Sequence, residues 1–375
     1  MSQIKIILTI RSFNIGGTER QLLELVKGIN KDKFDVTVCA MSRGTLDFKL
    51  KEISRINFIC LNKKGRYDLL SYYKYVRLIR KFKPHIIYSF LSDSNLISLI
   101  CSKISLSKCQ LVWGIRGSVT NTSNDNYFSK LIFKFQKKFS RLITLVIYNS
   151  FSAAKSYVES GFLPKQYAVI QNGFDSKRFY KNIEARNNFR TKYKIKDSDI
   201  VIGITSRIDP IKGYPDFCRA ALVLLKKYEN IYFFSIGYGV REIQLECEKI
   251  LGSYNEKRFY WLGKQVNPED YTSGWDIFCS ASLPGEGFPN SIAEAMLCEL
   301  SPVVTDSGDS ADIVGDIGLV ARCSDASDLK LQLEKMILSP LLIETGIKCR
   351  NRILALFSID EMVRRTEQEM IKILT

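Results

Sequence analysis

The feature that most restricts how this chain can fold is an alternation of short β-like runs with helical stretches that proceeds, breaks off and starts again. Residues 4–10, 36–40, 56–61, 85–90, 110–114 and 144–149 read as strands. Between them lie helical patterns, such as Leu22, Leu23, Leu25, Val26 and Ile29 on one face, and a helix over 69–82 ended by Pro84. Residues 181–199 are polar and charged, which marks a boundary. The alternation then restarts, with strands expected at 200–205, 231–236, 258–262, 275–279 and 302–305 and helices at 215–227 and 240–251. Strands interleaved with helices at this spacing imply mostly parallel sheets covered on both faces, and 375 residues exceed what one core usually serves. The expectation is an α/β chain of two doubly wound domains, 1–180 and 181–357, followed by a final helix within 358–375. Ligands of such domains sit outside the carboxyl ends of the strands.

Charge separates the two halves. The formal net charge is +16, but residues 1–190 carry +21 and the remainder −5. A basic half of this kind suits a polyanionic neighbour: a phospholipid surface, a lipid-linked phosphate or nucleic acid. A well-solvated surface with no partner is the plainer alternative. No helix-turn-helix, zinc finger or aromatic-basic interleave accompanies the charge, so nucleic acid is not expected. The ten cysteines show no CxxC pair, and a single histidine, His85, leaves no basis for a His-built metal site. A strand-like run follows Met1 almost directly, with no signal-peptide pattern, so a cytoplasmic protein with reduced thiols is expected. No apolar run approaches the ~18 residues of a spanning helix, so membrane contact is expected to be peripheral.

The residues able to carry chemistry cluster at strand ends. Gly16-Gly17 follows the first strand and opens a helix, where backbone can approach an anionic group; a simple flexible turn is the alternative. Arg207 and Lys212 lie in SRIDPIKG after the strand at 200–205, a fork and a point charge placed to clamp a diphosphate, or else two solvated cations. Glu286 and Glu294 lie in LPGEGFPNSIAEAM, the first on a glycine- and proline-rich loop, the second one turn into a helix starting near Asn290. A carboxylate accepts from two adjacent sugar hydroxyls, so one glutamate suits a transferred sugar and the other a ribose. Asn290 and Ser291 can cap that helix and bring amides near a phosphate. Gly237-Tyr238-Gly239 and Trp261-Leu262-Gly263 end two further strands and suit either the wall of a base pocket or ordinary turns. Arg116 follows a first-domain strand and points toward the ligand side. His85, between Pro84 and Ile86-Ile87, reads as structural.

Taken together, NIGGTERQ, NSFSAAKSYVESGF, VIQNGFD, SRIDPIKG, FFSIGYG, FYWLG, GEGFPNSIAEAM and PVVTD resemble, in family order, the retaining GT-B glycosyltransferases of family 4. The resemblance implies two Rossmann-like domains facing across a cleft, with the C-terminal helix returning to the first. It implies that Glu286 contacts hydroxyls of the donor sugar and Glu294 the ribose, while Arg207 and Lys212 bind the diphosphate. It places Gly17 near the phosphates, Gly239 and Gly263 beside the base, and the Asn290 and Ser291 amides at the diphosphate. Arg116 and Glu19 are expected on the acceptor side. Ser206 stands where the family often has glycine, and no histidine follows a first-domain strand, so no catalytic histidine is assigned. The implied reaction moves a hexosyl or N-acetylhexosaminyl group, with retention, from a nucleotide diphosphate sugar (UDP-linked by preference) to a glycan. That acceptor is expected to be polyprenyl-diphosphate-linked and to serve capsule, O-antigen or exopolysaccharide synthesis at an anionic membrane surface. No metal or other cofactor is required by this arrangement. A nucleotide-sugar epimerase on the same scaffold is the alternative.

Overall fold

The computed structural model describes residues 3–14, 16–65, 68–119 and 127–375. It divides into two compact units, Met1–Gly173 with Ile359–Thr375, and Phe174–Ser358. The first unit holds seven parallel strands: β1 (Ile4–Ile10), β2 (Phe34–Ala40), β3 (Ile56–Cys60), β4 (Ile86–Phe90), β5 (Gln110–Ile115), β6 (Leu145–Tyr148) and β7 (Gln166–Val169), in the order β3-β2-β1-β4-β5-β6-β7. Strand periodicity sorts their side chains onto two faces. Ile6, Leu8 and Ile10 meet helix Gly17–Gly28 and the C-terminal helix Ile359–Lys372, which contributes Met362, Val363 and Met370. Ile7, Ile87, Trp113 and Val146 face the other way, onto helices Leu69–Phe82, Ser92–Ile104 and Phe151–Glu159. Both faces are covered, so the strands read as nearly continuous apolar runs.

The second unit repeats the plan with six parallel strands: β8 (Ile200–Thr205), β9 (Ile231–Ile236), β10 (Phe259–Trp261), β11 (Ile277–Ser280), β12 (Ser301–Thr305) and β13 (Leu319–Ala321), ordered β10-β9-β8-β11-β12-β13. Ile202, Ile204, Phe233 and Ile277 pack on helices Tyr214–Lys227, Arg241–Leu251 and Ala326–Ile337. Val201, Phe234, Phe278 and Val304 pack on helices Ile183–Lys192, Asn290–Leu297 and Leu342–Leu356. The strand order reverses between β8 and β11, so the loops leaving these two strands diverge and open a crevice at their carboxyl ends.

Several elements differ from the sequence expectation, among them helices Ala326–Ile337 and Leu342–Leu356, which it did not name. Strands β7 and β13 were not anticipated; they are four and three residues long, at the sheet edges, and short of the length that makes periodicity visible. The polar segment 181–199 holds helix Ile183–Lys192, capped by the Asn182 side chain accepting from the Ala185 amide. This helix is anchored by a buried guanidinium. Arg190 donates to the carbonyls of Gly274, Lys196 and Asp199 and reaches Asp276, which Arg186 also binds at 2.7 Å. All ten cysteines are free.

One surface network is set up to report on pH. Glu334 accepts from Lys227 (2.7 Å), Lys330 (2.9 Å) and the Tyr228 hydroxyl (3.0 Å). The Lys227 bond, followed by Lys330, lowers its carboxyl from an ordinary 4.5 to about 2. A carboxylate stabilised in this way supports the fold above its unfolded pKa and loses that support as pH falls through it toward 2. Glu334→Gln is therefore expected to cost on the order of 1 kcal/mol at pH 7, modest because Lys227 is largely exposed. Urea unfolding of parent and variant across pH 7 to 2 checks this: the two curves should converge at the acid end.

Candidate active site

The second unit's crevice is built from the loops after β8, β11 and β12. Beyond β8, the Asp209 side chain accepts from the Ile211 amide at 3.1 Å and Pro210 starts a single 3-10 turn, Pro210–Lys212. Gly213 ends it in the left-handed region, at φ 62°, and helix Tyr214–Lys227 begins at once. The turn directs Lys212 onto Glu286: its Nζ donates to the carboxylate Oε1, and the two side chains are only 17% and 10% exposed. Across 74 positions of sequence, this contact joins the two motifs SRIDPIKG and GEGFPNSIAEAM.

The Glu286 loop is fastened on several sides. The Leu283 amide donates to the Ile211 carbonyl (2.8 Å), the Ser307 hydroxyl to the Leu283 carbonyl (2.6 Å), and the Asp309 amide to the Gly287 carbonyl (2.9 Å). Helix Asn290–Leu297 follows. Its cap position is Pro289 and no side chain caps it, so the expected capping by Asn290 or Ser291 does not occur: both already lie in the first turn. An eight-residue helix whose N-terminus lacks a side-chain cap presents its positive end to the loop carrying Glu286. One turn on, Glu294 and Ser291 line a small recess with Thr205, Phe179 and Glu269. Arg178 holds the rear of that recess through a two-pronged contact with Glu269 (2.9 and 3.2 Å); this bond, and more weakly the charge of Glu294, raises the guanidinium's affinity for its proton.

The other second-unit candidates fare differently. Arg207 is 72% exposed at its side chain and pairs with Asp209 at 3.1 Å, so in this state it braces its own loop. Gly239 pairs with Ile208 as an isolated parallel bridge, its neighbours exchanging amide–carbonyl bonds of 3.0 and 2.7 Å with Ile208, which gives this glycine a packing reason. Gly263 accepts from the Gly237 amide at 2.9 Å and has open space where a side chain would project. Tyr238 stands 57% exposed with the Lys264 ammonium 5.3 Å from its ring centre. Trp261 stacks on Tyr214 and donates to Asn255, a role in the core.

In the first unit, Gly16 takes extended backbone before helix Gly17–Gly28, and Glu19 lies in its first turn, where burial raises its carboxyl. Two turns' worth of motif are joined here as well: the buried Gln21 amide group exchanges bonds with both the carbonyl (2.8 Å) and the amide (2.9 Å) of Gly173. Neither residue was singled out from sequence, although both stand in motifs that were. Arg116, just beyond β5, donates to Asn172 (3.2 Å) and the Tyr88 hydroxyl (3.3 Å) and lies 5.1 Å over the Phe90 ring. His85 is structural: its Nδ1 accepts from the Lys5 amide at 2.9 Å. Among the described residues no group of three or more His, Cys, Asp or Glu is placed to hold a metal. No helix among them is long and apolar enough to cross a membrane.

The comparisons agree with this architecture. Residues 15–178 match the sequence model of Glycosyltransferase Family 4, and residues 199–338 that of Glycosyl transferases group 1. An uncharacterized glycosyltransferase of Methanocaldococcus jannaschii is 26% identical over 274 residues, 68% of this chain and 65% of that one. The GalNAc-α-(1→4)-GalNAc-α-(1→3)-diNAcBac-PP-undecaprenol α-1,4-N-acetyl-D-galactosaminyltransferase of Campylobacter jejuni is 25% identical over 347 residues, 89% of each chain. Among solved structures, Anabaena HepE in complex with UDP superposes with a TM-score of 0.81 at 18% identity, covering 98% of this chain and all of that one. A glycosyltransferase of Rickettsia africae gives 0.82 at 17% identity with full coverage of both. With the Glycosyltransferase Family 4 and Glycosyl transferases group 1 models matched in order along the chain and the GT-B fold shared throughout, the chain belongs to these glycosyltransferases.

Proposed function

We propose that this glycosyltransferase takes a UDP-linked sugar in the second unit and transfers it, with retention, to a hydroxyl of a polyprenyl-diphosphate-linked glycan. The observation that carries the reading is the Lys212–Glu286 pair at the carboxyl ends of β8 and β11, beside a helix N-terminus with no side-chain cap. The likeness to HepE, solved with UDP, supports the choice of base, and the Campylobacter relatives, named for undecaprenol-linked acceptors, support the acceptor class. Their N-acetylgalactosaminyl names favour an N-acetylhexosaminyl over a hexosyl donor, and the +21 charge of residues 1–190 supports a place in surface-polysaccharide assembly at an anionic membrane surface.

In this reading the bond from the anomeric carbon to the β-phosphate oxygen breaks while the acceptor oxygen bonds to the same face of that carbon. The acceptor proton passes to the departing phosphate oxygen. Lys212 and the first-turn amides of Asn290 and Ser291 meet the negative charge as it grows on the diphosphate. Arg207 leaves Asp209 to join them, a change its exposure permits. Glu286 holds donor-sugar hydroxyls and Glu294 the ribose, while the open side of Gly263 and the ring of Tyr238 take the base. On the resemblance, Gly17 is read as a donor residue and Glu19 and Arg116 as acceptor-side residues, all three in the first unit. No cofactor is needed for these steps. An epimerase needs acid and base groups around the sugar, and the sole histidine is committed to the Lys5 amide, so that alternative is not favoured.

A thermal-shift series with UDP, GDP, ADP and CDP at equal concentration tests the donor. UDP alone should raise the midpoint, by linkage, and Glu294→Gln should weaken the rise. No rise with any nucleotide, in folded protein, would overturn the reading. Anomeric assignment of the product by NMR checks retention.

A further inference from the structure

We propose that the first unit carries a binding site for a multivalent phosphate at the amino ends of its strands, the side of the sheet that the transferase reading leaves unused. The site goes beyond that reading and does not depend on it. A cavity of about 540 Å³, the size of a small-molecule site, opens beside the first residues of β4 and β5. Arg80 and Lys83 line it from the end of helix Leu69–Phe82, His85 from the start of β4, and Lys108 from the loop that enters β5. Leu374, beyond helix Ile359–Lys372, adds an apolar wall with Ile79, Pro84 and Leu106. No Asp or Glu is among the described residues of the lining.

The chain itself occupies the acceptor atoms of the lining and leaves donors. His85 Nδ1 accepts from the Lys5 amide (2.9 Å), so the neutral ring carries its proton on Nε2. Gln110 Oε1 accepts from the Thr144 hydroxyl (2.8 Å), which leaves the amide nitrogen to donate. The Ser107 hydroxyl oxygen accepts from the Cys109 amide (3.3 Å), and the Ser105 hydroxyl donates to the Ser102 carbonyl (2.8 Å). Burial pushes the Cys109 thiol up, so it adds no negative charge. Arg80 gives one N–H to the Ile104 carbonyl (3.1 Å), the usual place of a cation at a helix end. Lys83 and Lys108 enter no ion pair and donate to no carbonyl among the described residues, so the helix ends do not account for them. Lys83 at φ 50° and Leu106 at φ 55° hold opposite walls in left-handed conformations that such residues seldom adopt. A wall of donors without a carboxylate selects a ligand that only accepts. Three cations, an imidazole N–H and an amide outnumber the oxygens of a single carboxylate, whereas linked phosphates can use them all.

The test is calorimetric titration of the full chain with inorganic tripolyphosphate, in excess UDP and at about 0.1 M monovalent salt. Tripolyphosphate should bind, and roughly tenfold or more tighter than orthophosphate. Lys83→Asn, which suits a left-handed backbone, and Lys108→Gln should each weaken it about fivefold or more. Lys134→Gln, an exposed cation outside the lining, should leave it unchanged. Lys108 is exposed, so its variant carries the test if Lys83→Asn folds poorly. Absence of binding to the parent chain, or equal weakening by Lys134→Gln, would overturn the proposal. So would loss of capture by phosphatidylglycerol vesicles in Lys108→Gln with tripolyphosphate binding unchanged, which would assign the cation to a lipid surface. Failure of UDP to bind would bear on the transferase reading alone, because the Lys83 and Lys108 variants locate tripolyphosphate by themselves.

Discussion

Lys212→Ala is expected to lower transfer from the UDP-sugar by about a hundred- to a thousandfold while leaving the protein folded. The argument has two parts. In the transition state of the proposed reaction the bond to the nucleotide is breaking and negative charge gathers on the β-phosphate, which bulk water could stabilise only at a free-energy cost of reorganisation. A preplaced ammonium stabilises that charge more than it stabilises the ground state, which is why the loss should appear in kcat as well as in donor binding. The cation's position is also fixed in advance, since the Pro210–Lys212 turn and the bond to Glu286 hold it with little exposure. Lys212→Arg should recover only part of the rate, because a planar fork does not reproduce a point charge against a carboxylate in this space. Steady-state kinetics with both variants, alongside their far-UV spectra and unfolding midpoints, check the prediction. A rate within threefold or so of the parent would remove Lys212 from the chemistry.

The second large effect is on stability. Gly213→Ala should destabilise the second unit by about 3 kcal/mol or more. The backbone there sits at φ 62°, which costs an alanine roughly 1 kcal/mol by itself. The added Cβ would also lie 1.8 Å from the Ala281 carbonyl oxygen, a backbone atom that cannot step aside without moving the end of β11. Gly263→Ala supplies the control: φ is 66°, yet nothing lies within 4 Å of its Cβ. Only the conformational cost applies to it. Urea unfolding of the two variants should therefore separate them by about 2 kcal/mol, and equal losses would show that the approach to Ala281 is relieved by small adjustments.

Much of this was legible in the sequence because parallel strands covered on both faces leave long apolar runs, such as Ile4–Ile10 and Ile231–Ile236, at fixed distances from turn residues. The same logic placed Glu286 on a loop and Glu294 on a helix. What stayed hidden has physical reasons. Helix Ile183–Lys192 buries a guanidinium in place of an apolar stripe, so no periodicity announced it. The Gln21–Gly173 exchange joins residues 152 positions apart, and no local pattern encodes such a pairing. Arg207 and Lys212 read alike as cations in one loop, yet the turn buries the second and leaves the first at the surface against Asp209.

The fastening of the Glu286 loop bears on how such an enzyme can change its substrate. Two of the three ties, to Ile211 and from Asp309, run between main-chain atoms and so are indifferent to the side chains at those positions. Side chains at those two positions can therefore be exchanged without cutting the main-chain ties, whereas the hydroxyls of Ser307 and Thr305 and the Lys212 ammonium hold the loop and its carboxylate through side chains. On the proposed donor role of Glu286, a lineage or a designer can alter which sugar is accepted by substituting at such positions while the main-chain ties of the loop persist.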